Sequence, residues 1–348
     1  MARSITKKQR TRGQRIRRAL CWVLAGVVVV GGGVGYWAYS RLDGNLSNVD
    51  IDAALGGDRP GKDARGAQNL LVLGSDSRSG GNKGLAGGDT GGTARSDTAM
   101  VVHIPEGRKR ATAVSIPRDT LVSRPACAKS GGGELPSAQR VMFNSVYTAG
   151  GPACVVKTVE AMSGIRMDHY VEIDFAGFKE LVDALGGVTV TTERAIDDKQ
   201  SGLKLAAGTH RLDGTQSLAF VRTRHGIGDG SDLGRIGLQQ KFILALLAEV
   251  ERQDVLGSPT KLFKVADAAT KALTTDSGIG SLTGLAGFAK SLRGLDAGTM
   301  ETVMLPVAYD KADPNRVVAA EPQAGELWDA LRAGRAVPAS AKKSPAGG

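Results

Sequence analysis

The sequence predicts a layered α/β domain behind a single membrane-spanning helix. Three observations carry that reading. A basic N-terminus runs into a long uncharged stretch, the first half of the chain holds three strand-like apolar runs, and the second half alternates strand and helix patterns.

The charge is concentrated at the start. Residues 1–18 carry Arg3, Lys7, Lys8, Arg10, Arg12, Arg15, Arg17 and Arg18 and no acid; of the net charge of +10, residues 19–348 therefore keep only +2. A nearly neutral body with 4% aromatic residues offers no basic stripe interleaved with rings, which argues against a nucleic-acid partner. Residues 19–39 lack charge and, at about 1.5 Å per residue, match a hydrocarbon core of about 30 Å. Trp22, Tyr36, Trp37 and Tyr39 sit near the ends of this span, where interfacial aromatics belong. The stretch exceeds the apolar region of a signal peptide, and Tyr36-Trp37-Ala38-Tyr39 is a poor cleavage site. The reading is an uncleaved anchor in the cytoplasmic membrane, with the N-terminus inside and the rest outside the cell. The basic tail suits anionic lipid headgroups.

Beyond the anchor, residues 40–66 are polar and read as an extracellular stalk. Residues 67–310 read as one globular domain, and 311–348 as a C-terminal extension whose end, after Pro338, is disordered. Gln68 to Gly74, Thr98 to Ile104 and Ala111 to Ile116 are apolar runs with turn residues between them. Paired antiparallel, they bring Asp76, Asp97 and Arg118 to one edge of a sheet, flanked by Arg78 and Arg95. The insert 79–93 between the first two runs is Gly-rich. A helix follows from Pro152 to Ser163, then a strand from His169 to Asp174 and a helix from Phe175 to Leu185 stopped by Gly186-Gly187. Val188 to Thr192 is a further strand and Ile236 to Val250 an amphipathic helix.

The chemistry gathers on arginines. Arg222, Arg224 and Arg235 place three guanidinium groups on and around a Gly/Asp-rich loop ahead of the amphipathic helix. Arginine stays charged and grips oxyanions through a planar fork, so such a cluster suits a pyrophosphate; a solvated loop of charges is the competing reading. Asp76 and Asp97 at strand ends could hold Mg²⁺, which takes few carboxylates and keeps water and phosphate oxygens as other ligands; turn capping is the alternative for each. Ser201-Gly-Leu-Lys204 matches an acyl-transfer pattern but stands in a polar segment without companion motifs, and is rejected. Cys127 and Cys154 lie in the part predicted to be outside, where a bridge would contribute roughly 3 kcal/mol; two buried thiols are the alternative. No zinc spacing is present.

Taken together, the residues resemble the LytR-CpsA-Psr family of cell-wall glycopolymer ligases. The resemblance runs through Leu70-Leu-Val-Leu-Gly-Ser-Asp-Ser-Arg78, Ala94-Arg-Ser-Asp-Thr98, Ser115-Ile-Pro-Arg-Asp119, Phe143 to Gly151, Tyr170 to Phe175, Leu185 to Val188, and Leu212 through Arg224 to Gly234-Arg235 and Gln239-Gln240. It implies an αβα sandwich with a central mixed sheet. It also implies transfer of a glycopolymer from a polyprenyl-pyrophosphate carrier to peptidoglycan with Mg²⁺. Asp76 and Asp97 would bind the metal and Arg95, Arg118, Arg222, Arg224 and Arg235 the pyrophosphate, with Asp76, Asp97 and Arg118 as the catalytic set. The lipid tail would occupy an apolar tunnel between sheet and helices. Where many members read Lys-Ile-Asn, this chain has Met142-Phe143-Asn144, with Arg140 as the nearby cation.

Two other function classes fit the same residues: a non-catalytic envelope regulator that binds polyprenyl phosphates, and a lipid pyrophosphatase. In the ligase, breaking a sugar–phosphate bond develops negative charge on the leaving pyrophosphate, which arginines and magnesium stabilise without a protein nucleophile.

Overall fold

A computed structural model describes residues 31–57, 59–63, 65–75, 96–129, 132–224, 232–255, 257–292 and 294–346, the side chains of Ser96, Asp97 and Asp232 excepted. The chain divides into two compact units, residues 1–44 and 45–348. In the first, residues 31–44 are helical. No described helix is long and apolar enough to cross a membrane. The predicted span 19–39 lies mostly outside the described residues, as does the basic tail.

The second unit is built on seven strands: β1 (Ser47–Val49), β2 (Gln68–Ser75), β3 (Ser96–Ile104), β4 (Ala111–Ile116), β5 (His169–Asp174), β6 (Leu273–Asp276) and β7 (Met300–Met304). Their order across the sheet is β1-β6-β5-β2-β3-β4-β7. The pairs β2/β3 and β3/β4 are antiparallel, as the three apolar runs predicted, whereas β2/β5, β1/β6 and β4/β7 are parallel. The sheet is therefore mixed.

The longer helices of this unit are α1 (Phe143–Ser163), α2 (Phe175–Ala184), α3 (Gly214–Arg222), α4 (Asp232–Arg252), α5 (Pro259–Ala272), α6 (Leu282–Ser291) and α7 (Gln323–Arg332). One sheet face presents Leu71, Leu73, Val101, Val114 and Ile116 to Val146, Val155 and Val159 of α1 and to Leu327, Trp328 and Leu331 of α7. The opposite face packs Met100, Val102 and Ala113 against Ile243 of α4 and Leu292 at the end of α6. Because both faces are covered, all six residues of β4 are buried, and the strand reads as a continuous apolar run. A third cluster joins Val182, Phe220 and Phe242 of α2, α3 and α4 to the ribbons Val188–Thr192/Gly208–Leu212 and Ile196–Asp198/Leu203–Leu205. Val188–Thr192 is thus a strand, but of a ribbon outside the central sheet.

Helix α1 is two helical pieces meeting at Gly151, whose φ of 66° and ψ of −167° are non-helical. Pro152 begins the second piece, where its missing N–H costs nothing, so the expected start at Pro152 holds for that piece alone. Cys127 and Cys154 are joined in a disulfide, with Cα atoms 5.6 Å apart.

Of the residues expected to form a stalk, those from 45 on belong to the second unit, as does the expected extension. Strand β1 adds an edge to the sheet, Ile51 and Leu55 are buried, and Arg59 pairs with Glu160 at 2.7 Å, both side chains about 2% exposed. After Pro338, where composition suggested disorder, Ser340–Lys342 forms a 3₁₀ turn. Ala341 and Ala346 are buried in the main core, and the Ala346 N–H donates to the Val307 carbonyl. The partners of these segments lie far away in sequence, so local composition could not show them.

Candidate functional site

The strand register defines one edge of the sheet. Ile116 of β4 stands opposite Ala99 of β3, so Arg118, two residues further, is level with Asp97. On its other side β3 pairs with β2, with Thr98 opposite Gly74 and Ser96 opposite Ser75; the ladder is irregular at this step, and Asp97 sits at the bulge. Bulges re-aim side chains and recur beside active sites. Ser75 in turn stands opposite Asp174, the last residue of β5. Asp174 is occupied as the N-cap of α2, accepting the Gly177 N–H at 2.8 Å.

Two of the arginines, Arg222 and Arg235, are carried by helices rather than by the loop between them. Arg222 is the last residue of α3, and its guanidinium lies 5.0 Å from the centre of the Phe175 ring, next to Asp174. Such a cation over an aromatic face is attracted by the ring quadrupole and held in orientation. Arg235 lies in the first turn of α4 and is 3% exposed. One turn on, Gln239 donates to the Val221 carbonyl and to the Thr98 hydroxyl, each at 3.0 Å. This side chain links the end of α3 to the Asp97 end of β3. Its neighbour Gln240 donates to the Ser115 hydroxyl at 3.2 Å, just before Arg118. Two glutamines therefore fix α4 over the edge, with Arg235 one turn away on the Gln239 face.

The backbone after α3 is fixed as well. The Arg224 N–H donates to Asp198 at 2.9 Å, and Asp198 is only 2% exposed. The Thr223 hydroxyl contacts that of Ser201 at 2.8 Å. Ser201 thus belongs to the support of the arginine segment, while Lys204 is 84% exposed and faces Asp197, consistent with rejecting the acyl-transfer motif. Arg140 donates to Asp310 at 2.9 Å, so the cation nearest the missing lysine position is engaged with a carboxylate.

Arg118 and Arg222 thereby stand at strand ends of one sheet edge and Arg235 lies in the helix over it, while Arg224 follows α3 with its backbone N–H on Asp198. Asp76, Arg95, Arg78 and the insert 79–93 lie outside the described residues, as does the side chain of Asp97. No group of three or more His, Cys, Asp and Glu side chains among the described residues is placed to hold a metal ion. Gln239, Gln240, Asp198 and Asp119 do not stand out as site residues in the sequence. The glutamines and Asp119 enter there only through the family resemblance, and Asp198 acts through a backbone contact that leaves no local pattern.

The chain is thus an α/β protein whose central sheet is covered by helices on both faces and carries arginines at one strand edge. The chain belongs to the LytR_cpsA_psr family, whose sequence profile matches residues 38–333. It is 33% identical over 322 residues to the cell wall biosynthesis protein LcpA of Corynebacterium glutamicum, the match covering 85% of this chain and 60% of that one. It is 29% identical to the polyisoprenyl-teichoic acid–peptidoglycan teichoic acid transferase TagT of Bacillus subtilis, covering 85% of this chain and 88% of TagT. A solved LytR-Csp2A-Psr enzyme from Actinomyces oris superposes with a TM-score of 0.60 at 24% identity, over 82% of this chain and 95% of that one, and shares the fold.

Proposed function

We propose that this chain is a membrane-anchored extracellular ligase of phosphotransferase type, moving a glycopolymer from a polyprenyl-pyrophosphate carrier to peptidoglycan. The observation that carries the proposal is Arg118 level with Asp97 at a strand edge, with Arg222 over Phe175 beside Asp174 and Arg235 one turn from the Gln239 that bonds Thr98. The function for which TagT is named, transfer of teichoic acid between a polyisoprenyl carrier and peptidoglycan, supports it.

The residues suit the chemistry. Transfer concentrates negative charge on phosphate oxygens, whichever bond to the carrier breaks. Guanidinium groups fixed before the reaction stabilise that charge without reorganising. Phe175 orients the Arg222 guanidinium, while Asp198 fixes the Arg224 backbone and the glutamine pair fixes the helix that carries Arg235. Arg95 completes the set by its place before β3. Asp76 and Asp97 would hold Mg²⁺; hard carboxylate oxygens next to a phosphate fit that ion, which when bound adds Lewis-acid stabilisation of the phosphate oxygens. A place for the lipid chain is supported by the α4/α6 face. Leu70, Val72, Ile243 and Leu292 are only partly buried there, and α6 buries no residue completely.

The test is incubation of the full-length protein with a radiolabelled lipid-linked glycopolymer and peptidoglycan. Label covalently fixed to the wall is the expected product. Free phosphate would make the protein a lipid pyrophosphatase, and binding without product an envelope regulator.

A further inference from the structure

The turn that carries Arg118 is held from two distant parts of the chain. Three successive carbonyls accept backbone hydrogen bonds: Arg118 from the Asn144 N–H at 3.1 Å, Asp119 from Val317 at 3.4 Å, and Thr120 from Phe143 at 2.9 Å. Two come from the start of α1 and one from the C-terminal hairpin Val307–Tyr309/Val317–Ala319. Thr120 is fully buried, bonds back to Pro117 through its hydroxyl, and pairs with Val317 as an isolated bridge. The side chains repeat this pattern. Asp119 lies 3.5 Å from the Arg118 Nε through Oδ2 and 3.6 Å from the Arg316 Nη1 through Oδ1, while the Arg316 Nε is 3.8 Å from Asp313.

We infer that Asp119 and Arg316 are positioning residues for Arg118, and that the C-terminal hairpin is therefore a working part of the pyrophosphate site. The inference rests on the transferase reading for its substrate, but not for its geometry. Asp119 has two oxygens and divides them between two arginines. Without Arg316, the carboxylate is free to rotate toward Arg118 and draw the guanidinium away from the substrate. With Arg316 in place, one oxygen faces that guanidinium and the other faces the Arg118 Nε, a charge contact rather than a hydrogen bond, and the shared carboxylate biases the orientation of Arg118. These side chains are 21–31% exposed, so ion pairing here adds little to folding stability. Its effect falls on orientation, which a transition state feels more strongly than a melting curve does.

A double-mutant cycle on the full-length protein decides it, with binding of farnesyl pyrophosphate by calorimetry as the first readout and transfer rate as the second. Arg316→Ala should weaken farnesyl pyrophosphate binding about fivefold with the melting temperature unchanged. In an Arg118→Ala background the same change should have less than a twofold effect, because the residue it acts through is gone. Arg316→Lys should keep most of the affinity, since an ammonium can hold one oxygen of Asp119. Equal losses in both backgrounds overturn the inference, as does a loss accompanied by a matching fall in melting temperature. If the wild type binds the probe and shows this coupling but transfers nothing, the transferase reading fails while the positioning role stands. If transfer is normal and the coupling is absent, the positioning role fails alone.

Discussion

At the end of the sheet away from Arg118, His103 is 3% exposed and its Nδ1 lies 2.7 Å from the Asn69 side-chain oxygen. With the proton on Nδ1 donated there, Nε2 is left buried without a hydrogen-bond partner among the described residues. Burial pushes this imidazole down to about 4; Asp63 opposes the shift, and Arg110 and Arg65 add to it. The unfolded chain takes up the proton near 6.5, so stability is complete above that pH and falls as pH drops from there toward 4. The loss should reach about 2 kcal/mol by pH 5 and about 3 kcal/mol in full. Denaturant titrations at pH 7.5 and pH 5 should show it, and His103→Gln should remove most of the difference; an unchanged difference in that variant would assign the acid sensitivity elsewhere. Gln239 makes a second residue-scale case. Gln239→Leu keeps the volume but deletes the bonds to Val221 and Thr98, and should cost about 1–3 kcal/mol. A melting curve matching the wild type would show that those bonds contribute nothing.

Among the elements, the Cys127–Cys154 bridge ties the strand pair Cys127–Ala128/Glu134–Leu135 to the second piece of α1 across a sequence separation of 27. Cys127→Ser should lower unfolding free energy by about 3 kcal/mol, and the variant should no longer respond to reductant. If reductant destabilises both proteins equally, the bridge is not the cause. Helices α2 and α5 meet at Gly177, where an added Cβ would overlap Ala272 of α5. Gly177→Ala should therefore lower the melting temperature despite alanine's better helix propensity; a rise would mean the helices separate freely. Legibility also varies by element. Strands β2, β3 and β4 were readable because coverage on both faces makes them continuous apolar runs. Strands β1, β6 and β7 are three to five residues long and take their identity from pairing with distant partners. Two missed helices did carry local signals. Asp213 and Gln216 form a capping box that opens α3, and Ala324, Leu327, Trp328 and Leu331 give α7 a helical stripe.

For the whole molecule, the edge shared by Asp97 and Arg118 was legible from strand order, because antiparallel pairing leaves no other arrangement of those ends. The approach of Arg222 and Arg235 was not, since it depends on how α3 and α4 lie over the sheet. The N-terminal charge pattern predicts a domain outside the cell. Protease added to wall-stripped intact cells should digest residues 41–348, and survival of that domain until the cells are lysed would contradict the topology. The pyrophosphate clamp itself is tested most directly by following labelled polymer from carrier to wall with wild type and Arg222→Ala side by side, melting temperatures being measured on the same samples. The variant should melt with the wild type and transfer about 10²–10³-fold more slowly, as expected for loss of one fixed group that stabilises an oxyanion. A folded Arg222→Ala protein that transfers at the wild-type rate would show that the arginine edge is not the site of the chemistry.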